Sequence, residues 1–547
     1  MQRKIVFLRQ EFTTRRYAFI WVSIWLILIF STWFSRPLIP FQETLFSGIV
    51  WELYQSGEWL YPQINGVYQH ASYPLNYWLG LVIWKLFGVS EFSLRALASF
   101  FSLGTLFLTA WAAYQLWPDR RDVRANAPFV LIGSLMWTIF ATANLDYLYF
   151  TFYLMLAMNF LIRAWRFKQD VWWIGYAFSL TLGLYSAGLI FLLVAIPIIY
   201  LAPYWAKNRW KRIYLWGSLS IIVALILFAI WAIIASSTLG FSLIDALGLS
   251  YLLKALNNTT PFYLYFFNLI VILFPWLFWL RIYRLYREVE WDDSFRFVVI
   301  WFLCLIVILG ILSLTFLDAL LPLYPALGLI IARIYRNGLS TKQDIALIIV
   351  IMVGAGLLLI LIPHYYQLLS LPQWVGAVSP FWGAGLILFS ITLLFNAAHT
   401  RIMTLALMSV ALTLALNFGV VRVALDFYDL KPVGERISWY QSKGFTIGNA
   451  SIYRGHLHFE GRLTTPIIEV NSSQALRELV ERDAYARMII YVEDKALFED
   501  DIIEYWQPFR GRYLVIMRAD QLLKTLEEIQ TEGKALYPKD LVELRLY

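Results

Sequence analysis

The sequence predicts a polytopic α-helical membrane protein of about thirteen transmembrane helices, with a small α/β domain at its C-terminus. Three observations predict it. The 547 residues are 60% hydrophobic, above the half or so that is usual in a soluble domain. Runs such as 17–35, 213–236 and 297–316 contain no charged residue and are each about 20 residues long, which is what a helix needs to cross hydrocarbon. Basic residues gather in every second loop.

Taken in order, the spans are expected near 17–35, 96–116, 127–143, 147–162, 171–186, 189–205, 213–236, 262–280, 297–316, 319–334, 345–363, 381–398 and 402–420. With the N-terminus in the cytoplasm, the cytoplasmic segments hold 23 Lys and Arg. The opposite-side loops before the tail hold only Arg36, Lys85, Arg95 and Lys254. That asymmetry is the positive-inside pattern. It accounts for the net charge of +8 as a topology signal and not as a nucleic-acid footprint. The 25 Trp and 33 Tyr suit helix ends anchored at the headgroup level. The basic stretch 3–16 leads into a full-length span, unlike a cleaved signal peptide with its short apolar region. A single cysteine, Cys304, excludes an internal disulfide and a cysteine metal site.

The first outer loop, about 36–95, is long and aromatic. Within it 43–54 has apolar residues at helical spacing, and 75–87 is apolar but too short to span. Both are expected as helices lying in the interface, roofing a cavity at the membrane surface. An odd number of spans puts 421–547 on the outer face. There, 471–473 caps an amphipathic helix through Arg482, and 488–492 and 513–517 read as buried strands. Helical stretches are expected near 498–506 and 519–530. The transmembrane module is therefore 1–420 and the soluble domain 421–547.

Several segments carry a resemblance. They are FQETLFSGIVWELYQSGEWLYP at 41–62, Asn65-Gly66, Tyr73-Pro74-Leu75-Asn76-Tyr77-Trp78, and LFGVSEFSLR at 86–95. With them go Asp146 at the start of the fourth span, PFYLY at 261–265, Phe274-Pro275-Trp276, LLPLYPAL at 320–327, and 455–466 with Phe459-Glu460-Gly461-Arg462. Together they resemble the integral-membrane GT-C glycosyltransferases that use polyprenyl-phosphate sugars, in particular the lipid A aminoarabinose transferase and protein O-mannosyltransferase relatives. The resemblance implies a GT-C fold with thirteen spans and an outer C-terminal domain. It implies transfer of a sugar from a polyprenyl-phosphate carrier to an envelope glycolipid, polysaccharide or protein at the outer face of a bacterial inner membrane.

Such a reaction needs a carboxylate to take the acceptor proton and a cation, metal or side chain, to stabilise the departing phosphate. The chain departs from the family pattern at just these places. The family's Asp-Glu pair falls on Gln42-Glu43, and Gln42 takes no proton at neutral pH. The family's Glu-Lys falls on Ala71-Ser72, a lysine on Ala187, and the Lys and His or Tyr before the late Pro-rich span on Thr315, Asp318 and Ala319.

Glu43 reads either as base or metal ligand or as a carboxylate favoured by a helix start. Asp146, at a membrane-edge position where carboxylates usually work, is the second catalytic candidate, against a plain helix cap. Candidate substrate contacts are Gln42, Tyr77, Asp318, Arg95 and Lys254. Lys254 reads as a phosphate ligand or a snorkelling interfacial lysine, Arg95 as a contact or an anchor, and Asp318 as a contact or a turn residue. A divalent metal is an expected cofactor, with His70 the candidate ligand beside the carboxylates. His456 and His458 would share a face if extended, and read as surface residues or as metal ligands.

The leading function is thus a polyprenyl-phosphate-sugar glycosyltransferase. The alternative is a catalytically degenerate member of the fold that binds a glycolipid or serves an envelope complex as an accessory subunit, with a membrane-protein partner. A transporter is the third reading, against which the absence of an internal repeat and the one-sided carboxylates stand.

Overall fold

The structure, a computed structural model, describes residues 2–69, 72–167, 169–257, 262–312, 317–335, 342–396, 400–493, 498–499 and 501–531. His70 and Thr315 lie outside the described residues. The chain opens with α1 (Gln2–Ser35) and α2 (Glu43–Ser56), then a small ribbon of β1 (Gln63–Ile64) and β2 (Val67–Tyr68). Next come α3 (Pro74–Phe87), α4 (Glu91–Leu116), α5 (Arg121–Ile132), α6 (Leu135–Phe140) and α7 (Asp146–Phe167). They are followed by α8 (Val171–Ala187), α9 (Leu189–Tyr200), α10 (Ala202–Trp205), α11 (Trp210–Leu239), α12 (Leu243–Ala246) and α13 (Leu249–Leu256). The later helices are α14 (Phe262–Ile272), α15 (Arg281–Tyr286), α16 (Asp293–Ile311), α17 (Leu323–Ile334), α18 (Ala346–Tyr365), α19 (Pro380–Thr392) and α20 (Arg401–Ala415).

Among the described residues seven helices are long and apolar enough to cross a membrane: Arg16–Ser35, α4, α7, Lys207–Leu239, α16, α18 and Arg401–Val421. The six other expected spans carry shorter or interrupted helices. The run 127–143 breaks at Gly133–Ser134, between α5 and α6, where a Cβ on Gly133 would lie 2.9 Å from the backbone of Ala406. Close approach to α20 takes precedence over helical continuity there. The run 262–280 is interrupted at Pro275, which removes a backbone donor. Helix starts follow local chemistry. Ser90, Asp292 and Ser379 each accept a backbone N–H at the start of α4, α16 and α19, and Pro74 opens α3.

By contacts the chain divides into two units. The first gathers the spans, from residues 1–35, 70–369 and 375–420. The second joins Arg36–Gln69 and Ser370–Trp374 to the tail from Val421 onward. The half of the outer loop that carries Gln42 and Glu43 is therefore built on the tail domain. Trp51 Nε1 donates to the Leu463 carbonyl at 2.8 Å. The Asn65 side chain accepts from Ile467 N at 2.7 Å and donates to its carbonyl at 2.9 Å.

The tail domain consists of α21 (Lys431–Ser442), β3 (Ile447–Asn449), β4 (Ile468–Glu469), α22 (Ser473–Arg482), β5 (Arg487–Val492), β6 (Ile503–Phe509), β7 (Arg512–Arg518) and α23 (Ala519–Thr531). Its mixed sheet runs in the order β4-β3-β5-β7-β6, parallel between β4, β3 and β5 and antiparallel from β5 through β7 to β6. Strand alternation builds two cores. Ile489 and Tyr491 pack with Val433, Ile437 and Tyr440 of α21. Met488, Ile490 and Val492 pack with Leu476 and Leu479 of α22 and with Leu522.

Two expectations are corrected in this domain. The stretch near 498–506 is not helical. Its apolar residues suit a helix, but Ile503–Phe509 pairs along β7, and cross-strand pairing overrides local preference. His456 and His458 are not exposed strand residues. They sit in a turn and are 1% and 4% exposed.

Candidate functional site

In the span unit, the first turns of α3 and α7, the end of α8, α13 and the turn Leu317–Leu320 converge on a group of polar side chains. Asp146 starts α7, where a helix N-terminus favours a carboxylate. The residue is exposed at that helix start. Asn76 and Asp318 both lie within electrostatic reach of it. Tyr77 and Tyr251 are near enough to feel the same charge. Two carboxylates distant in sequence thus lie near enough to influence each other, and neither forms an ion pair among the described residues.

Asp318 is 8% exposed. Burial pushes its carboxyl up to about 6, against backbone N–H donation from residues 318 and 319, which acts in the opposite direction. Tyr77 is 3% exposed. Burial, reinforced by Asp146, pushes its hydroxyl well above the usual phenol range, so it stays protonated and can donate a hydrogen bond.

The entry to α3 is held by shape. A Cβ on Gly188 would fall 2.0 Å from Tyr73 Cζ, and one on Gly248 2.0 Å from the Tyr73 hydroxyl. Both glycines have positive φ. Tyr73 therefore fills a slot between the α8–α9 corner and the start of α13, with the Phe228 ring 6.0 Å away. Anchored this way, the next turn carries Asn76 and Tyr77 to Asp146.

Glu43 belongs to the other unit. It is fully buried, ion-paired with Arg36, and accepts the Ile39 N–H at 2.9 Å. Gln42 precedes α2 half-buried, without a capping hydrogen bond. Arg95 is buried against α1. It donates to the Trp33 carbonyl at 3.3 Å and approaches Glu91 at 4.0 Å. Lys254 is exposed on α13, beside the exposed Leu253 and Leu256, and makes no ion pair among the described residues.

Of the expected site residues, the structure brings together Asp146, Asp318 and Tyr77. Sequence reasoning missed Asn76, Ser186, Tyr73 and Tyr251. A polar Asn76 inside the apolar start of α3 was the available signal. The described residues hold no group of three or more His, Cys, Asp or Glu that fits a metal ion.

No protein-family model matches the chain. It is 25% identical over 368 residues to the undecaprenyl phosphate-alpha-4-amino-4-deoxy-L-arabinose arabinosyl transferase of Pectobacterium atrosepticum. That match covers 63% of this chain and 65% of the relative, so the chain spans just under two thirds of that relative's length. The transferase of the same name from Enterobacter sp. is 28% identical over 203 residues, 36% of each protein. Among solved structures, ArnT from Cupriavidus metallidurans bound to undecaprenyl phosphate superposes with a TM-score of 0.71 at 15% identity, covering 91% of this chain and 97% of that one. The chain is distantly similar in sequence to the aminoarabinosyl transferases and is a multi-span membrane protein with the fold of ArnT.

Proposed function

We propose that the chain is a glycosyltransferase that moves a sugar from a polyprenyl-phosphate carrier to a cell-envelope acceptor at the outer face of a bacterial inner membrane. The observation that carries this reading is the proximity of Asp146 and Asp318 on an ArnT-like fold. In the reaction an acceptor hydroxyl attacks the anomeric carbon. The bond from that carbon to the lipid phosphate breaks, and the phosphate leaves with the electron pair. Asp146 takes the acceptor proton as general base.

Asp318 and Tyr77 hold the sugar. The donor named for the relatives bears an amino group, and a second carboxylate without a cation beside it suits an ammonium. Lys254, exposed on α13, meets the lipid phosphate as a point charge. Glu43, occupied by Arg36, orders the loop that Gln42 opens, and Arg95 anchors α4. The acceptor is a glycolipid, a polysaccharide or a protein.

The test is transfer by the purified protein in lipid, supplied with a polyprenyl-phosphate amino sugar and an envelope extract. Asp146→Asn is expected to lower the rate by about 100-fold or more, the usual contribution of a general base. An unchanged rate removes Asp146 from the chemistry.

A second reading rests on Gln42 and the Arg36–Glu43 pair. The loop position where the resemblance places a base holds a neutral amide, and the adjacent carboxylate is engaged. A degenerate glycolipid-binding subunit would show no turnover alone and would co-purify with a membrane enzyme. Native mass spectrometry distinguishes the two. A bound carrier lipid, lost in Lys254→Ala, favours the transferase.

A further inference from the structure

In the tail unit, the start of α2 rests on a turn that carries two buried histidines. Phe41, directly before Gln42 and Glu43, has φ 66°, a left-handed backbone that residues with a side chain rarely adopt. Its N–H donates to Thr44 Oγ1 at 2.8 Å, and the Thr44 N–H donates to the Ile39 carbonyl at 3.2 Å. This conformation sends the Phe41 ring onto the tail domain. The ring lies 4.6 Å from the His456 ring and 6.0 Å from Phe509, with the Arg510 guanidinium 5.4 Å from its centroid. Further along α2, Gly48 packs on the same turn. A Cβ there would fall 2.9 Å from the Gly455 carbonyl oxygen and 3.6 Å from His458 Cβ.

The seat suits neutral imidazoles. His456 is 1% exposed. Its Nε2 pairs with the Tyr491 hydroxyl of β5, and its Nδ1 has no hydrogen-bond partner among the described residues. A second proton on this ring puts a full charge in the core with one N–H unpaired, which is costly. Its charged surroundings add repulsion from Arg454 and His458, and Arg510 already lies against the Phe41 ring. His458 Nδ1 pairs with the Tyr453 hydroxyl, whose oxygen takes the Leu457 N–H. The nearby carboxylates hold backbone groups instead. Glu469 accepts the Tyr453 N–H, and Glu52 of α2 accepts those of Asn65 and Gly66.

We propose that Phe41 and His456 form an acid-released latch, which holds the start of α2, with Gln42 and Glu43, on the tail domain at neutral pH and frees it when His456 takes a proton. In the latched state the imidazole is neutral and dry. On release Phe41 leaves the ring, its backbone relaxes from the left-handed region, and water reaches the imidazolium. Burial holds the latched imidazole down to about 3, while a hydrated one titrates near 6.5. The released state is therefore favoured about 10-fold more for each pH unit below 6.5. The distal part of the loop stays docked, since the bonds from Trp51 to Leu463 and between Asn65 and Ile467 involve no group that titrates there. The latch holds whether or not the chain transfers a sugar. On the expected outer face it meets the pH of the surroundings.

The experiment is hydrogen exchange of the full-length protein in lipid nanodiscs between pH 7.5 and 5, corrected for the intrinsic rate. It is read on peptides covering 39–46, where the amides of Ile39, Phe41, Thr44 and Phe46 are hydrogen-bonded. Their opening is expected to rise about 30-fold between pH 6.5 and 5, with the β5 and β7 amides better protected at every pH. In His456→Gln, which keeps a polar partner for Tyr491, the rise is expected to disappear. In Phe41→Ala the segment is expected to be open already at pH 7.5. A rise that persists in His456→Gln overturns the proposal. So does opening of 39–46 in step with β5 and β7, which would be unfolding of the whole domain. If His456→Gln does not fold, seen as lost β5 and β7 protection at pH 7.5, Phe41→Ala decides. Protection of 39–46 equal to that of the parent protein in Phe41→Ala overturns the latch.

Discussion

Asp318 carries a cost that the fold tolerates. Its folded-state carboxyl is pushed up to about 6 by burial, above the ordinary value near 3.9. A raised acid contributes fully below its unfolded value, and stability is lost as pH rises through about 6. Asp318→Asn removes the ionising group, so the melting temperature is expected to rise at pH 8 and stay unchanged at pH 4. The difference corresponds to about 1–3 kcal/mol. Equal melting temperatures of variant and parent at both pH values would mean that water hydrates the carboxylate within the fold.

The tail domain has the opposite sign. His458 Nδ1 pairs with the Tyr453 hydroxyl at 2.8 Å, and His456 Nε2 with the Tyr491 hydroxyl at 3.0 Å. Burial pushes the two imidazoles down to about 4 and about 3, the second helped by repulsion from His458 and Arg454. Both are neutral core residues. Their contribution is present above the ordinary histidine range near 6.5 and is lost as pH falls toward the folded values. Protection of the β5 and β7 amides against hydrogen exchange, corrected for the intrinsic rate, is expected to fall between pH 6.5 and 5. The double variant His456→Gln, His458→Gln should flatten that slope.

At the scale of elements, α3 is the helix that brings Tyr77 near Asp146, and the Tyr73 slot holds α3. Gly188→Ala would combine a left-handed backbone, φ 63°, with a Cβ 2.0 Å from the Tyr73 ring. Overpacking of this kind costs about 1–3 kcal/mol on its own. Gly57, which ends α2 at φ 72°, has nothing within 4 Å, so Gly57→Ala carries only the backbone cost, about 1–2 kcal/mol. A thermal-shift comparison should therefore rank Gly188→Ala as the more damaging, with loss of transfer in that variant alone.

The same elements show what the sequence could and could not disclose. Asp146 and Asp318 stood out in the sequence because a carboxylate at the edge of an apolar run is costly in a membrane unless it has a task. The partner of Asn76 was not legible, since Ser186 lies 110 residues away and no local pattern links them. The Arg36–Glu43 pair spans seven residues, yet each side chain read separately as a loop charge or a helix-start carboxylate. Spans were placed well wherever an apolar run was continuous. Gly133 and Pro275 broke two of them for reasons of close packing and a missing donor, which hydropathy does not register. In the tail, Phe498, Ile502 and Trp506 fall at helical spacing, but Ile503–Phe509 pairs along β7, and cross-strand pairing overrides that local preference.

At the scale of the whole molecule, the distribution of charge leads to a topology that can be measured directly. The expectation is a cytoplasmic N-terminus and a tail domain on the outer face, because 23 basic residues fall in one set of loops and four in the other. Cys304, the single cysteine, is buried in α16, so it contributes little background to thiol labelling. Glu478 on α22 and Lys211 at the start of α11 are both exposed. In intact spheroplasts a membrane-impermeant maleimide is expected to label Glu478→Cys and to leave Lys211→Cys unlabelled until the membrane is opened. The reverse pattern would place the tail in the cytoplasm. It would also place the start of α7, and with it Asp146, on the cytoplasmic face and the basic loops outside, since the number of crossings fixes them together. Labelling of both sites in intact cells would mean mixed insertion. Two arginines moved from the loop 206–212 to the loop near Lys254 should then shift the mixture further toward the inverted form, because the balance of Lys and Arg between short loops sets orientation.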